Sequence, residues 1–166
     1  MALVIESGQV VDGADSYVTA AELVTYAANY GLTIPATEGE QEALLRRAYL
    51  QMNTLSWKGW PVNRDQTGAW PRYGVLSNGY ELPSDAIPRQ VKQCQMAMAG
   101  EIHADDIDPP ERRKGAVVKD RVEGAVERQY GTAKASRSTP VAGRQSLANV
   151  AGLLESSSWQ IPMVRG

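Results

Sequence analysis

The first apolar stripe of the chain lies between two helix-boundary signals. Thr19 and Glu22 have the spacing of a capping box at a helix start, and Gly31 is suited to the left-handed residue that ends a helix. The spacing predicts a helix over about residues 19–30. Its apolar face consists of Leu23, Tyr26, Ala27 and Tyr30.

Two longer stripes predict the rest of a helical core. A second helix is predicted over about residues 38–55, and a third begins near Ser84, Asp85 and Pro88 and runs to about residue 104. Because three amphipathic helices can close one core, we predict a mainly α protein built as a small helical bundle. The two stripes comprise Leu44, Ala48, Met52 and Leu55, and then Ile87, Val91, Cys94, Met98 and Ile102.

Two segments outside the helices have strand-like patterns. Residues 56–88 are rich in Gly, Pro, Asn and Asp, which predicts an ordered loop region, and Asn78-Gly79 predicts a tight hairpin turn within it. Residues 116–130 have valines at helical spacing, yet their β-branched residues around Glu123-Gly124 equally suggest a hairpin. We favour strands, which adds a β-hairpin excursion to the bundle.

The domain organisation follows from a change of composition after residue 130. Residues 1–130 are predicted to form the helical domain with its hairpin at about 116–130. Residues 131–166 begin with a stretch rich in Ser, Thr, Gly and Ala, and are predicted to be a linker and an extended C-terminal docking arm. A short helix from Leu147 to Leu154 is expected within that arm.

Composition limits the classes of partner. The chain has 17 Lys and Arg against 19 Asp and Glu, a net charge of -2, so any contact with nucleic acid must be local. Cys94 is the only cysteine, which excludes an internal disulfide. The sequence also lacks the basic and apolar regions of a signal peptide and any membrane-length apolar run, so we expect a soluble protein that does not bind a membrane.

Candidate catalytic and metal-binding groups are few. His103 could bind a metal with Asp105, Asp106 and Asp108, but neighbouring carboxylates beside prolines usually face solvent. Cys94 lies on the third apolar stripe, which favours a structural thiol, and neither a P-loop nor a dinucleotide fingerprint occurs. We therefore expect no enzyme activity, no metal and no cofactor.

Three tryptophans in the central loop region allow two interpretations. Trp57, Trp60 and Trp70 alternate with Lys58, Arg64 and Arg72, and aromatic and basic groups together are typical of single-strand binding. The chain contains no Phe, however, and large aromatic residues are then needed to fill the core. We favour the core interpretation for all three tryptophans.

Two further segments are candidate contact sites. The basic run Arg112, Arg113 and Lys114 is more often a solvated face, although it could contact a partner. The C-terminal end is unusually apolar for a tail, which indicates docking on a partner or a neighbouring subunit, with folding back onto the domain as the alternative. Its docking residues are Trp159, Ile161, Pro162, Met163 and Val164.

Four segments in this order resemble a known family. The segments are ADSYVTAAEL, LLRRAYLQMNTLSWKGW, DQTGAWPRYG and IPRQVKQCQMAMAGEI. They resemble small phage proteins encoded among head and tail genes, described as DnaT-like single-stranded-DNA-binding proteins, which look like head-tail connector (adaptor) proteins of tailed bacteriophages. The resemblance covers about residues 14–130, and its most specific pieces are Asp15-Ser16-Tyr17 and the stretch from Gln66 to Arg72.

The connector resemblance implies a structural virion protein of the neck, made in the host cytoplasm. Its subunits would form a dodecameric ring beneath the portal protein, and the next connector or tail-terminator protein would attach to that ring. DNA would pass through the channel without sequence-specific binding. A ring needs two complementary surfaces on each subunit, and the C-terminal arm would supply one of them.

The alternative implied by the resemblance is a DnaT-like single-stranded-DNA-binding protein. Such a protein needs an exposed aromatic and basic groove. The balanced charge and the predicted burial of the tryptophans argue against this groove, so the sequence favours the connector.

Overall fold

The computed structural model describes residues 2–104, 117–123, 125–130 and 144–155. The protein is mainly helical, with antiparallel strand pairs in the connections between the helices. No helix in these ranges is long and apolar enough to span a membrane. The elements in chain order are α1 (Ala20–Tyr30), α2 (Glu38–Asn53), β1 (Trp60–Pro61), β2 (Arg72–Tyr73), β3 (Leu76–Ser77), β4 (Tyr80–Glu81), α3 (Arg89–His103), β5 (Val117–Glu123), β6 (Ala125–Tyr130), α4 (Gln145–Val150) and a 3₁₀ turn (Ala151–Leu153).

Helix α1 begins and ends at its predicted signals. The Thr19 hydroxyl accepts from the Glu22 amide at 3.2 Å, and the Thr19 amide donates to the Glu22 carboxylate at 2.7 Å, which completes the capping box. Gly31 ends the helix in the left-handed region at φ 66°. The predicted apolar face is confirmed except at Tyr30, whose side chain is half-exposed because it lies at the open end of the helix.

Helix α3 is the central element of the core, with α2 and α4 packed against it. All five residues of its predicted stripe are buried, and Cys94 is among them as a structural thiol. On α2, Leu44, Ala48 and Met52 are buried; the helix ends at Asn53, so Leu55 lies just beyond it and is partly buried. The two predicted stripes therefore face each other across one core.

A buried glutamine ties the N-terminal segment to both long helices. The Gln95 Oε1 accepts from the Tyr17 amide at 2.8 Å. Its Nε2 donates to the Ser16 hydroxyl and to the Leu45 carbonyl, each at 2.9 Å. Gln95 is fully buried, so these three bonds satisfy polar groups that water does not reach.

Residues 144–155 lie within the predicted C-terminal arm, yet they pack on the helical core. Val150 and Leu153 are both fully buried. The Glu101 carboxylate of α3 accepts from the Ser146 amide at 2.9 Å and from its hydroxyl at 2.7 Å, which fixes the start of α4. The short helix predicted over 147–154 is thus present, and it belongs to the core.

The strand pairs confirm two sequence predictions. β3 and β4 flank Asn78 and Gly79, whose φ values of 52° and 85° are those of the tight hairpin turn predicted there. β5 and β6 pair antiparallel on either side of residue 124, so the predicted hairpin is confirmed over the helix alternative.

Candidate functional site

The contact residues predicted from sequence lie outside the described residues. This applies to the basic run and to the docking residues at the end of the arm, and also to the carboxylates that could join His103 in a metal site. Among the residues that the structure describes, no group of three His, Cys, Asp or Glu side chains could hold a metal ion. The predicted contact residues in question are Arg112, Arg113, Lys114, Trp159, Ile161, Pro162, Met163 and Val164.

Trp57 and Trp70 are core anchors, as predicted. Their exposed fractions are 4% and 1%, and their rings meet edge to face with centroids 5.7 Å apart. The Trp57 indole N–H donates to the Met52 carbonyl at 2.9 Å. The Trp70 amide donates to the Tyr17 hydroxyl at 3.1 Å, which joins the central loop region to the N-terminal segment.

Trp60 is not a core residue, so the prediction of burial is wrong for this tryptophan. Its side chain is 68% exposed. Gly59, at φ 71°, turns the chain after Trp57, and a Cβ at this glycine would collide with the Tyr73 carbonyl. This turn brings Trp60 into register with Tyr73 on the neighbouring strand and directs it away from the space filled by the other two tryptophans.

Trp60 and Tyr73 form an exposed cross-strand aromatic pair, referred to below as the Trp60/Tyr73 pair. They are directly opposite each other in the antiparallel pairing of β1 with β2, so their side chains lie on the same face. Tyr73 is 50% exposed. Further exposed apolar side chains follow in the same region of the chain, namely Val62, Leu76 and Tyr80.

The Arg72 guanidinium holds the loop beneath this pair. Its Nε donates to the Lys58 carbonyl at 2.8 Å, and its Nη2 donates to the Gly59 carbonyl at 2.6 Å. Longer bonds reach the carbonyls of Ala69 and Trp57. Burial lowers the pKa of Arg72, but an arginine side chain stays charged, and the carbonyl dipoles solvate that charge.

The C-terminal end of the core supports the same loop. Residues 153–155 run alongside residues 56–58, with the Lys58 amide donating to the Leu153 carbonyl and the Glu155 amide donating to the Ser56 carbonyl, each at 2.9 Å. The Lys58 ammonium donates to the Gly152 carbonyl at 2.7 Å. The Trp60/Tyr73 pair is therefore carried by a loop that is bonded on both sides.

The charge around the pair is nearly balanced. Residues 57–82 contain three basic side chains, Lys58, Arg64 and Arg72, and two acidic ones, Asp65 and Glu81. Arg64, Asp65 and Glu81 are exposed. The surface thus offers aromatic faces with little net charge.

A second candidate site is an open groove between α1 and α3. It has a volume of about 660 Å³, and its walls include Tyr26, Tyr30 and Met96. The two tyrosine rings stack with centroids 4.3 Å apart. The Lys92 ammonium lies 4.0 Å from the Glu22 carboxylate, so charges of both signs line this groove. Tyr30 is half-exposed like Tyr73, which makes it a matched comparison for the aromatic pair.

The comparisons with known proteins give one result. The family described as "Putative DnaT-like ssDNA binding protein" matches residues 1–166. No curated protein and no solved structure matches the chain. The resemblance to the DnaT-like family is confirmed, whereas the phage origin and the connector role stay predictions. The chain belongs to the family of DnaT-like ssDNA-binding proteins.

Proposed function

We propose that the protein binds single-stranded DNA through the Trp60/Tyr73 pair. The observation that carries this proposal is the pairing of two exposed aromatic rings on one face of a short strand pair. The name of the family points to the same ligand. This reverses the preference for the connector that the sequence alone suggested, because that preference depended on the balanced charge and on the burial of all three tryptophans, and Trp60 is exposed.

The physical basis of the proposal is stacking of bases on preorganised rings. An aromatic side chain contributes about 1 to 3 kcal/mol for each stacked base, and it does so with little regard to base identity. The hydrogen bonds from Arg72 to the loop carbonyls and the packing of the buried Trp57 and Trp70 fix the strands that present the rings. A fixed platform loses less conformational entropy on binding than a loose one.

The test of this function is a pair of tyrosine variants matched in exposure. Tyr73→Ala should weaken binding of an oligothymidylate by about 1 to 3 kcal/mol, because one stacking surface is lost. Tyr30→Ala, at an equally exposed tyrosine on α1, should leave the affinity unchanged. Fluorescence anisotropy with a labelled strand measures both. Equal losses in the two variants, or no binding by the unchanged protein, would reject the proposal.

A second candidate function is the head-tail connector subunit, a non-enzymatic ring component in the virion neck that contacts the portal protein and the next connector. The observation that favours it is the apolar character of the same region of the chain, where Val62 and Leu76 are exposed as well, in a protein of net charge -2. Large aromatic and apolar side chains are typical of protein interfaces.

The connector is tested by mixing the purified protein with portal protein and examining the mixture by electron microscopy. Rings on the portal, together with negligible affinity for single strands, would favour the connector. Deleting residues 157–166 should then prevent attachment while the helical signal persists. Attachment by the truncated protein would remove the arm from the connector proposal.

A further inference from the structure

The basic residues nearest the Trp60/Tyr73 pair are already engaged inside the protein. Arg72 lies on β2 beside Tyr73, and its guanidinium donates to four backbone carbonyls. Freeing it to meet a phosphate would leave those carbonyls without their donors. Arg72 is therefore a structural clamp rather than a phosphate contact.

Lys58 is held in a similar way. Its ammonium donates at 2.7 Å to the carbonyl of Gly152, in the 3₁₀ turn that follows α4. This bond links the loop below Trp60 to the C-terminal end of the core. The bond uses one of the three N–H donors of the ammonium, so Lys58 and Arg64 are the two side chains of this surface that could contact a phosphate.

The remaining charges near the pair do not favour a polyanion. Arg64 is exposed in the loop after β1, but the next residue is Asp65, and the exposed Glu81 lies on β4. Arg72 and Lys58 keep their positive charges in these bonds, so residues 57–82 carry a net charge of only +1, and Arg64 is the one exposed basic side chain of this range. Attraction to phosphates is therefore weak on this surface, whereas its aromatic faces are open.

We infer that this surface recognises accessible bases and depends little on the phosphate charge of the strand. The inference rests on the proposed function. The ligand class that it names is unpaired strands, because their bases can separate from one another and stack on the protein instead. A duplex is excluded because its bases are already stacked and paired. A strand with an uncharged backbone is included because it presents the same bases.

The salt dependence of binding measures how many phosphates are neutralised. For single strands, the logarithm of the binding constant falls with the logarithm of salt concentration with a slope of about -0.7 for each phosphate contact. One or two contacts predict that affinity drops only about three- to sevenfold between about 50 and about 200 mM salt. Arg64→Gln should make this slope shallower by about 0.7, the contribution of one phosphate contact.

The closing experiment compares an oligothymidylate of about ten nucleotides with a thymine peptide nucleic acid of equal length, which has a neutral backbone. We expect both to bind within about tenfold of each other, and both to lose affinity in Trp60→Ala by roughly 5- to 150-fold, as loss of one stacked base requires. Titrations of the wild-type protein at both salt concentrations give the slope of the logarithm of the binding constant against that of salt concentration.

The outcomes separate this inference from the proposed function. Trp60-dependent binding of the oligothymidylate that weakens more than about twentyfold over the same salt range, with no binding of the neutral strand, overturns the inference and leaves the function intact. If neither strand binds in a way that depends on Trp60, both the inference and the proposed function are overturned.

Discussion

Tryptophan serves two different purposes between residues 57 and 70. Trp57 and Trp70 fill the core under the loop, and Trp60 lies on its outer face. The three residues are of the same type and lie close together in the sequence, so the difference in their exposure arises from the backbone. Gly59 turns the chain between Trp57 and Trp60, and the pairing with Tyr73 then holds Trp60 outside.

The buried and exposed tryptophans should respond differently to truncation. Trp70→Ala should lower the free energy of unfolding by about 3 to 5 kcal/mol, because it leaves a large cavity in a close-packed core. Trp60→Ala should change it by no more than about 0.5 kcal/mol, since its side chain is mostly in solvent. Urea denaturation followed by circular dichroism measures both. Similar losses in the two variants would contradict the assigned environments.

A buried thiol and two buried tyrosine hydroxyls make the free energy of unfolding fall at high pH. Burial and then the neighbouring Glu101 raise the pKa of the Cys94 thiol to about 12, so the unfolded chain loses this proton at a lower pH than the folded chain. Stability is therefore retained near neutral pH and lost as the pH rises from about 9 towards 12. Tyr49, whose pKa burial raises to about 12, and Tyr17, whose pKa burial also raises, act in the same direction.

The Cys94 contribution can be isolated with Cys94→Ala. The variant should lose less stability than the wild type between about pH 8.5 and pH 10, because the thiol titrates first and the tyrosines follow. Urea midpoints across that range provide the comparison, with each protein referred to its own value at neutral pH. Parallel pH profiles for the two proteins would show that the thiol is not the responsible group.

Residue environments were predictable where an apolar stripe defines them. Cys94 and the other four positions of its stripe are buried because helical spacing places them on one face. The exposure of Trp60 was not predictable, because the absence of Phe suggested that every large aromatic was needed inside. Three of the four carbonyls that Arg72 contacts lie 13 to 15 residues away in sequence, so no local pattern indicates these bonds.

At the scale of elements, one carboxylate holds the start of α4, while Val150 and Leu153 bury its apolar end. Glu101 accepts from both the amide and the hydroxyl of Ser146 and replaces the side-chain cap that Arg144 does not provide. Glu101→Ala should therefore destabilise α4 by about 0.5 to 2 kcal/mol, the usual effect of losing a helix cap. Faster amide hydrogen exchange over residues 147–150 would report the effect.

A double-variant cycle provides the control for this contact. Ser146→Ala removes the hydroxyl from the same contact, so the Glu101→Ala/Ser146→Ala pair should cost less than the sum of the single variants. Additive losses would show that the two side chains act independently.

Long elements were predicted from the sequence better than short ones. The long stripes located α1, α2 and α3 to within a few residues, and Asn78-Gly79 located the β3/β4 turn. β1 and β2 span two residues each, which is too short for any periodicity, so the strand pair that presents Trp60 was not predicted. The packing of α4 on α3 was missed because its helix is short and lies in a segment with linker-like composition.

At the scale of the whole molecule, a nearly neutral protein carries the Trp60/Tyr73 pair on a loop region bonded to the helical core. Net charge alone argued against a nucleic-acid ligand, because it reports on phosphate attraction and not on base stacking. The position of two rings on one face is a property of the folded chain, and it is what favours a single-stranded ligand over a purely structural role.

The most direct test of this account is a titration with oligothymidylate followed by the indole N–H resonances of the four tryptophans. We predict that the Trp60 resonance shifts as the strand binds, while those of the buried Trp57 and Trp70 stay in place. Binding that leaves the Trp60 resonance unmoved, or a titration in which no indole signal responds, would contradict the central claim.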